Sequence, residues 1–208
     1  MNSRVLLASL FLLHTTSYCM EGKSDLTLAD FEPLISKEEI QSAIIRTAEE
    51  ISRDYKDKSL TLVMIMKGAI HLTSDLMRNL TIPATLEYIQ ASSYGQNGTE
   101  PGKLTLFGIE RLDIKGKDVL LVDDILDTGE TLFQVTRELR KQNPASLKTL
   151  VLLKKSQCDP TKKHDPLDMK KFADYPIFTI GEKFVIGYGL DYKEQFRELS
   201  DIRVKKSS

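Results

Sequence analysis

The chain has 208 residues, 41% hydrophobic and 28% charged, with a formal net charge of −1, which fits one folded domain with short appendages. This balance has no basic excess and gives no ground for a nucleic-acid partner. The two cysteines, Cys19 and Cys158, lie too far apart for a metal-ligand spacing and make no disulfide framework, so a reducing compartment is expected.

Residues 1–20 carry Arg4 and then the apolar run V-L-L-A-S-L-F-L-L, which is too short to span a bilayer. No small-x-small cleavage site follows it. The segment reads either as a signal-like leader or as a start assigned too early, with Met20 the true first residue. Both readings leave 1–20 outside the fold and make 21–208 the folded domain.

Ser36-Lys37-Glu38-Glu39 has the form of a capping box, and Ile40, Ala43, Ile44, Ala48 and Ile51 behind it share one helical face. The apolar run Leu60–Met66 predicts a buried strand and Ile70–Asn79 a helix. Lys67-Gly68 falls at the carboxyl end of that strand. Glycine there lets backbone approach a ligand and the lysine adds a cation, although on spacing alone a plain turn with a surface lysine is the simpler reading.

Residues 86–91 predict a weaker strand. The stretch 92–102 breaks all periodicity and reads as a linker or as a lid carrying Ser93 and Tyr94. Residues 104–109 look like the returning strand of a hairpin.

Residues 117–131 read K-D-V-L-L-V-D-D-I-L-D-T-G-E-T. An apolar strand runs into Asp123, Asp124 and Asp127, then Thr128, Gly129 and Thr131. Leu132, Val135 and Leu139 then follow at helical spacing, and Pro144 closes the pattern. The unit reads as strand, acidic turn, helix.

Residues 147–153 predict another strand, ending in Lys154-Lys155. Residues 156–175 are loop-like, 176–180 could form a short strand, and 184–192 are β-favouring and finish by Asp191. The tail from Arg197 onward, with Arg203, Lys205 and Lys206, is expected to fray. Strands alternating with helices predict an α/β fold with a mostly parallel sheet, and the hairpin and late strand imply a small irregular subdomain beside it.

The central unit carries the chemistry. Ligands of an open parallel sheet sit at the carboxyl ends of its strands. A Thr-Gly-x-Thr turn opening a helix offers unpaired N–H groups and hydroxyls to an anion, and the helix dipole favours a phosphate there. Carboxylates just upstream suit sugar hydroxyls and a divalent cation. The element reads as a receptor for a phosphorylated sugar with Mg²⁺.

This pattern resembles the phosphoribosyl-diphosphate (PRPP) motif of the type I phosphoribosyltransferases. Four further segments narrow the resemblance: M-K-G-A at 66–69, S-S-Y-G at 92–95, L-L-x-K at 152–155, and F-V-I-G-Y-G-L-D-Y followed by F-R within 184–197. Together they resemble the hypoxanthine (hypoxanthine-guanine) phosphoribosyltransferases over about residues 35–203. The resemblance implies a mostly parallel central sheet flanked by helices with a small hood subdomain. It also implies purine salvage: hypoxanthine, and guanine, plus PRPP giving IMP, and GMP, plus pyrophosphate, with Mg²⁺ as cofactor.

It further implies roles. Asp123 and Asp124 would hold the ribose hydroxyls and the Mg²⁺ shell, and Asp127 would face N7 of the base as general acid/base. Asp127, Thr128, Gly129, Glu130 and Thr131 would wrap the 5′-phosphate, with the Glu130 side chain turned outward. Lys67, Gly68 and Arg197 would bind pyrophosphate, with the Met66–Lys67 peptide cis. Ser93 and Tyr94 would lie on the lid. Lys155 would donate to the purine 6-oxo group, Phe184 would stack on the ring, Val185 would read the base edge by backbone, and Asp191 would bind a second Mg²⁺. Lys154 leaves the purine contact open by one position, and the L-L-x-K register favours Lys155.

The other reading is a PRPP-fold regulator that binds RNA or a nucleotide. Asp127 and the lack of a basic excess favour the enzyme. A cytoplasmic homodimer or homotetramer, with PRPP and a purine base as partners and no membrane or nucleic acid, is expected from the resemblance.

Overall fold

A computed structural model describes residues 26–92, 104–156 and 173–206. The described residues form two sheets and three α-helices. The six-stranded sheet has the order β4-β3-β2-β5-β6-β7, from Thr105–Phe107, Ala84–Ser92, Leu60–Met66, Asp118–Leu126, Ser146–Lys155 and Tyr175–Ile180. Its edge strand β4 is antiparallel and the other pairings are parallel. The expected α/β architecture is therefore present.

Helix α1, Lys37–Asp54, begins at the expected capping box. The Ser36 N–H donates to Glu39 Oε2 at 2.8 Å and the Glu39 N–H donates to Ser36 Oγ at 3.3 Å. The five apolar residues read from its sequence are all buried. With α2, Ile70–Asn79, this helix covers one face of the sheet, where Leu62, Met64, Leu120, Val122, Leu150 and Leu152 point. Helix α3, Glu130–Arg140, covers the opposite face through Leu132, Val135 and Leu139 against Val63, Ile65, Val119 and Leu121. Alternate residues of β2 and β5 thus enter two cores, which is why those strands read as unbroken apolar runs.

The chain runs from β2 to β3 in one direction across the sheet and from β5 to β6 to β7 in the other. The reversal lies between β2 and β5, the point where an open α/β sheet leaves a crevice at its carboxyl edge. The register sharpens this. β2 pairs with β5 only as far as Met64↔Val122, whereas β5 continues along β6 from Asp123↔Val151 to Leu126↔Lys154. Asp123 and Asp124 are consequently part of the strand and not of the acidic turn the sequence predicts; the strand stays paired on one side while its other side opens.

The three-stranded antiparallel sheet β1-β9-β8 is made from Phe31–Ile35, Ile202–Lys205 and Val185–Ile186 and, with the turns between β8 and β9, forms the small hood. It corrects two expectations and adds a strand. As far as residue 206 the tail does not fray: Ile202 and Val204 are buried and β9 pairs with strands on both sides. β1 is a strand that periodicity does not reveal. The β-favouring 184–192 contains only a two-residue strand, because Gly187 (φ 96°), Tyr188 (φ 49°) and Gly189 (φ 102°) turn the chain back on itself. The 104–109 strand is shorter than expected, since Ile109–Arg111 winds into a single helical turn.

Candidate active site

The crevice between β2 and β5 is an open cavity of about 390 Å³. Its walls include Met66, Lys67 and Gly68 from the end of β2, Asp123, Asp124 and Asp127 to Gly129 from β5 and its turn, Thr131 from α3, and Arg197 from the hood. Nine residues singled out in the sequence thus share one cavity. Each comes from a strand end or the following turn, except Arg197 and Thr131.

The Met66–Lys67 peptide is cis. Gly68 is required by contact: a Cβ there would overlap the Asp124 carboxylate. Gly189 lies on the other side, where a Cβ would overlap the Gly68 carbonyl oxygen. The hood is therefore stacked on the β2 turn, which is stacked on β5. Two bonds fix the Gly189 turn itself: the Arg197 guanidinium donates to the Gly189 carbonyl at 2.7 Å, and the Gly189 N–H donates to the Arg197 carbonyl at 2.9 Å. The Tyr188 hydroxyl donates to Asp75 Oδ2 on α2 at 2.6 Å and ties the same turn to the sheet's covering helix.

Asp123 is buried and Asp124 follows it on the cavity floor. The Asp124 N–H donates to Asp123 Oδ1 at 3.0 Å and the Ile125 N–H donates to Asp124 Oδ1 at 2.8 Å. Burial, and then the neighbouring Asp124 charge, push the Asp123 carboxyl well above the ordinary carboxylate range; burial pushes Asp124 upward as well. A buried carboxylate beside a half-buried one, both lining the cavity, is a fit for a divalent cation. Among the described residues no cluster of three or more His, Cys, Asp or Glu forms a protein-only cage. Mg²⁺ commonly takes one or two carboxylates and completes its shell with substrate oxygens and water, so the pair suffices.

Gly129 adopts φ 81° and turns the chain into α3, with the N–H groups of that helix start beside Thr128 and Thr131. The Glu130 side chain accepts from Gln134 Nε2 at 2.5 Å and does not line the cavity, as the sequence requires. Lys155, at the end of β6, places Nζ 3.1 Å from Asp127 Oδ1. This contact joins the two residues expected to flank the purine.

The remaining residues surround this centre. Asp191 Oδ1 lies 2.7 Å from Arg197 Nη2. Phe184 is half exposed and meets Tyr192 edge-on, with ring centroids 6.0 Å apart. Val185 is buried in β8 and pairs with Val204. Among the described cavity-lining residues neither Lys155, Phe184, Val185 nor Asp191 appears. Ser93 and Tyr94 lie outside the described residues, as does most of 156–175.

Two residues escaped the sequence reading. Gly189 carries a signal, the Gly-Tyr-Gly spacing of a tight turn, that could have found it. Glu194 carries none. Its Oε2 lies 2.8 Å from Lys67 Nζ and 3.3 Å from Arg197 Nη2, and the Lys67 hydrogen bond, then the Arg197 charge, hold its carboxyl below the ordinary range.

The phosphoribosyl transferase domain family matches residues 36–193. The hypoxanthine-guanine phosphoribosyltransferase of Crithidia fasciculata is 38% identical over 182 residues, which cover 83% of this chain and 84% of that protein. The hypoxanthine-guanine phosphoribosyltransferase of Dictyostelium discoideum is 38% identical over 172 residues, covering 81% and 91%. A solved hypoxanthine phosphoribosyltransferase from Trypanosoma cruzi, a mutant in a ternary substrates complex, is similar with a TM-score of 0.74 at 36% identity, covering 86% of this chain and 97% of that one.

Proposed function

The chain belongs to the type I phosphoribosyltransferase family, among its hypoxanthine-guanine phosphoribosyltransferases, and from that membership we propose that it converts hypoxanthine and guanine, with PRPP, to IMP and GMP plus pyrophosphate, with Mg²⁺ as cofactor. The activity is phosphoribosyl transfer in purine salvage. The observation that carries the finer reading is the single cavity that groups Lys67, Gly68 and Arg197 with the Asp123–Asp124 pair and the 127–131 turn.

Each group has a task set by its chemistry. The N–H groups and hydroxyls of Thr128, Gly129, Glu130 and Thr131 bind the 5′-phosphate at the start of α3. Asp123 and Asp124 accept from the ribose hydroxyls and would hold Mg²⁺, with Asp191 as the residue facing a second ion. When bound, Mg²⁺ supplies positive charge to the leaving pyrophosphate oxygens. Lys67 and Arg197 add the protein's own cations there, with the Gly68 backbone close enough to touch. As the bond from C1 to pyrophosphate lengthens, the ribose ring gains positive character, and the carboxylates beneath it offset that charge.

The incoming purine must lose a proton. Asp127 is the base that removes it from N7. Lys155 donates to the 6-oxo group, Phe184 packs on the ring and the Val185 backbone reads its edge. Adenine carries a donor where hypoxanthine carries the 6-oxo acceptor, and a buried donor facing an ammonium is left unpaired, so the base pocket rejects it. Ser93 and Tyr94 serve on the lid that excludes water. Among the described residues no helix is long and apolar enough to cross a membrane; a cytoplasmic homodimer or homotetramer is part of the proposal.

The test is a side-by-side assay of hypoxanthine, guanine, xanthine and adenine with PRPP and Mg²⁺. IMP and GMP, each with one pyrophosphate, are expected, with adenine inert. No nucleotide from any base would defeat the reading.

A further inference from the structure

Lys67 and Arg197 reach the crevice from opposite directions, one from the end of β2 and the other from the hood. A single carboxylate oxygen, Glu194 Oε2, bridges them, 2.8 Å from Lys67 Nζ and 3.3 Å from Arg197 Nη2. Glu194 and Lys67 are 127 residues apart in the chain, so the turn that carries Glu194 must be built to bring them together. Its backbone is. Lys193 (φ 51°), Glu194 (φ 65°) and Phe196 (φ 73°) all occupy the left-handed region that side chains other than glycine seldom adopt. The Glu194 N–H donates to Asp191 Oδ2 at 2.8 Å and Tyr192 bridges to Gln195, which holds the turn closed. Asp191 is also engaged, with its other oxygen on Arg197 at 2.7 Å.

We infer that Glu194 is an internal stand-in for the pyrophosphate group: its carboxylate occupies the two cations of the leaving-group subsite, and PRPP must displace it to bind. The inference rests on the assignment of Lys67 and Arg197 to pyrophosphate made above. The chemistry of exchange favours it. A carboxylate offers one negative charge to two cations, and a pyrophosphate offers several. The Lys67 and Glu194 side chains are each more than half exposed, so either can swing away without disrupting a core. Arg197 is the better shielded partner and stays fixed by the Gly189 carbonyl. In the free protein the arrangement neutralises two neighbouring cations, and the ligand must compete with it for them. Glu194 is a positioning residue and takes no part in bond making.

Titration calorimetry with inorganic pyrophosphate and with IMP, on the wild-type, Glu194→Gln and Lys67→Ala proteins in Mg²⁺, tests the inference. Removing a half-exposed competitor should tighten pyrophosphate binding about three- to tenfold, the scale of two such ion pairs, and lower the KM for PRPP by a like factor. IMP affinity should not change, because IMP places no group at Lys67 and Arg197; a merely structural residue would not split the two ligands in this way. Unchanged or weaker pyrophosphate binding in Glu194→Gln overturns the inference, as does a parallel change in IMP affinity. Pyrophosphate binding that is indifferent to Lys67→Ala overturns the subsite assignment itself, and the inference falls with it.

Discussion

Lys155 Nζ stands 3.1 Å from Asp127 Oδ1, linking the end of β6 to the turn after β5. The two residues are adjacent because β5 and β6 pair through Leu126↔Lys154, which carries both strands to the same height. If Lys155 reads the 6-oxo group and Asp127 takes the N7 proton, their separation is fixed by strand register and not by a mobile loop. Asp127→Asn should then lower kcat by about 10²-fold or more with PRPP binding retained, as expected for a lost general base. Lys155→Met should instead raise the KM for hypoxanthine by about tenfold, the scale of one hydrogen bond to a charged donor. Steady-state assays of both variants separate the roles; equal turnover in Asp127→Asn would remove that residue from the chemistry.

The stack Asp124–Gly68–Gly189 has no slack. Gly189→Ala would press a methyl group into the Gly68 carbonyl at φ 102°, where the backbone already disfavours a side chain. A loss of about 1–3 kcal/mol is expected from that conformation alone, and PRPP affinity should fall because Gly68 must shift. Urea unfolding and PRPP titration check the two effects.

The upward shift of the Asp123 carboxyl, caused by burial and then the Asp124 charge, makes a pH prediction with a definite sign. A carboxyl whose folded pKa lies above its unfolded value, about 3.9, binds more protons folded than unfolded between those values. Its contribution to stability therefore falls as pH rises through that window. The ligand-free protein should accordingly gain from Asp123→Asn at pH 8, by about 2–4 °C in Tm, the shift that roughly 1 kcal/mol produces in a chain of this size. The gain should shrink toward pH 5 and should reverse when Mg²⁺ and PRPP are present. Thermal melts of both proteins across pH measure it; a variant that is less stable than wild type at pH 8 without ligand contradicts the burial of a repelling pair.

β9 carries a stability prediction. Ile202 and Val204 are buried in one cluster with Ile35, Val185, Tyr188 and Leu190, and side chains so placed stabilise by about 1.5–3 kcal/mol each. Val204→Asp should lower Tm sharply and weaken pyrophosphate binding, since β9 supports β8 and the turn that presents Arg197.

The strand–turn–helix at 117–131 was legible because its apolar run, acids and Thr-Gly-x-Thr turn lie within one short stretch. So were α1 and α2, whose apolar faces repeat at helical spacing. β1 and β9 were not legible, because each is short and they pair with each other from opposite ends of the described chain. Pro33 interrupts β1 at a register shift, and the charges of Arg203 and Lys205 mask the inward Ile202 and Val204. The strand placement of Asp123 and Asp124 was hidden for a related reason: acids usually mark a turn, and only pairing with β6 keeps them extended. Glu194 was invisible, since an exposed acid in a polar tail has no pattern until the fold sets it on Lys67.

The central claim is that the crevice between β2 and β5 grips a phosphoribosyl group. A crystal structure with bound IMP tests it most directly. The 5′-phosphate should lie on the N–H groups of Thr128 to Thr131, with the ribose hydroxyls at Asp123 and Asp124 and the base between Asp127 and Lys155. IMP bound elsewhere, with this crevice left vacant, would contradict the account.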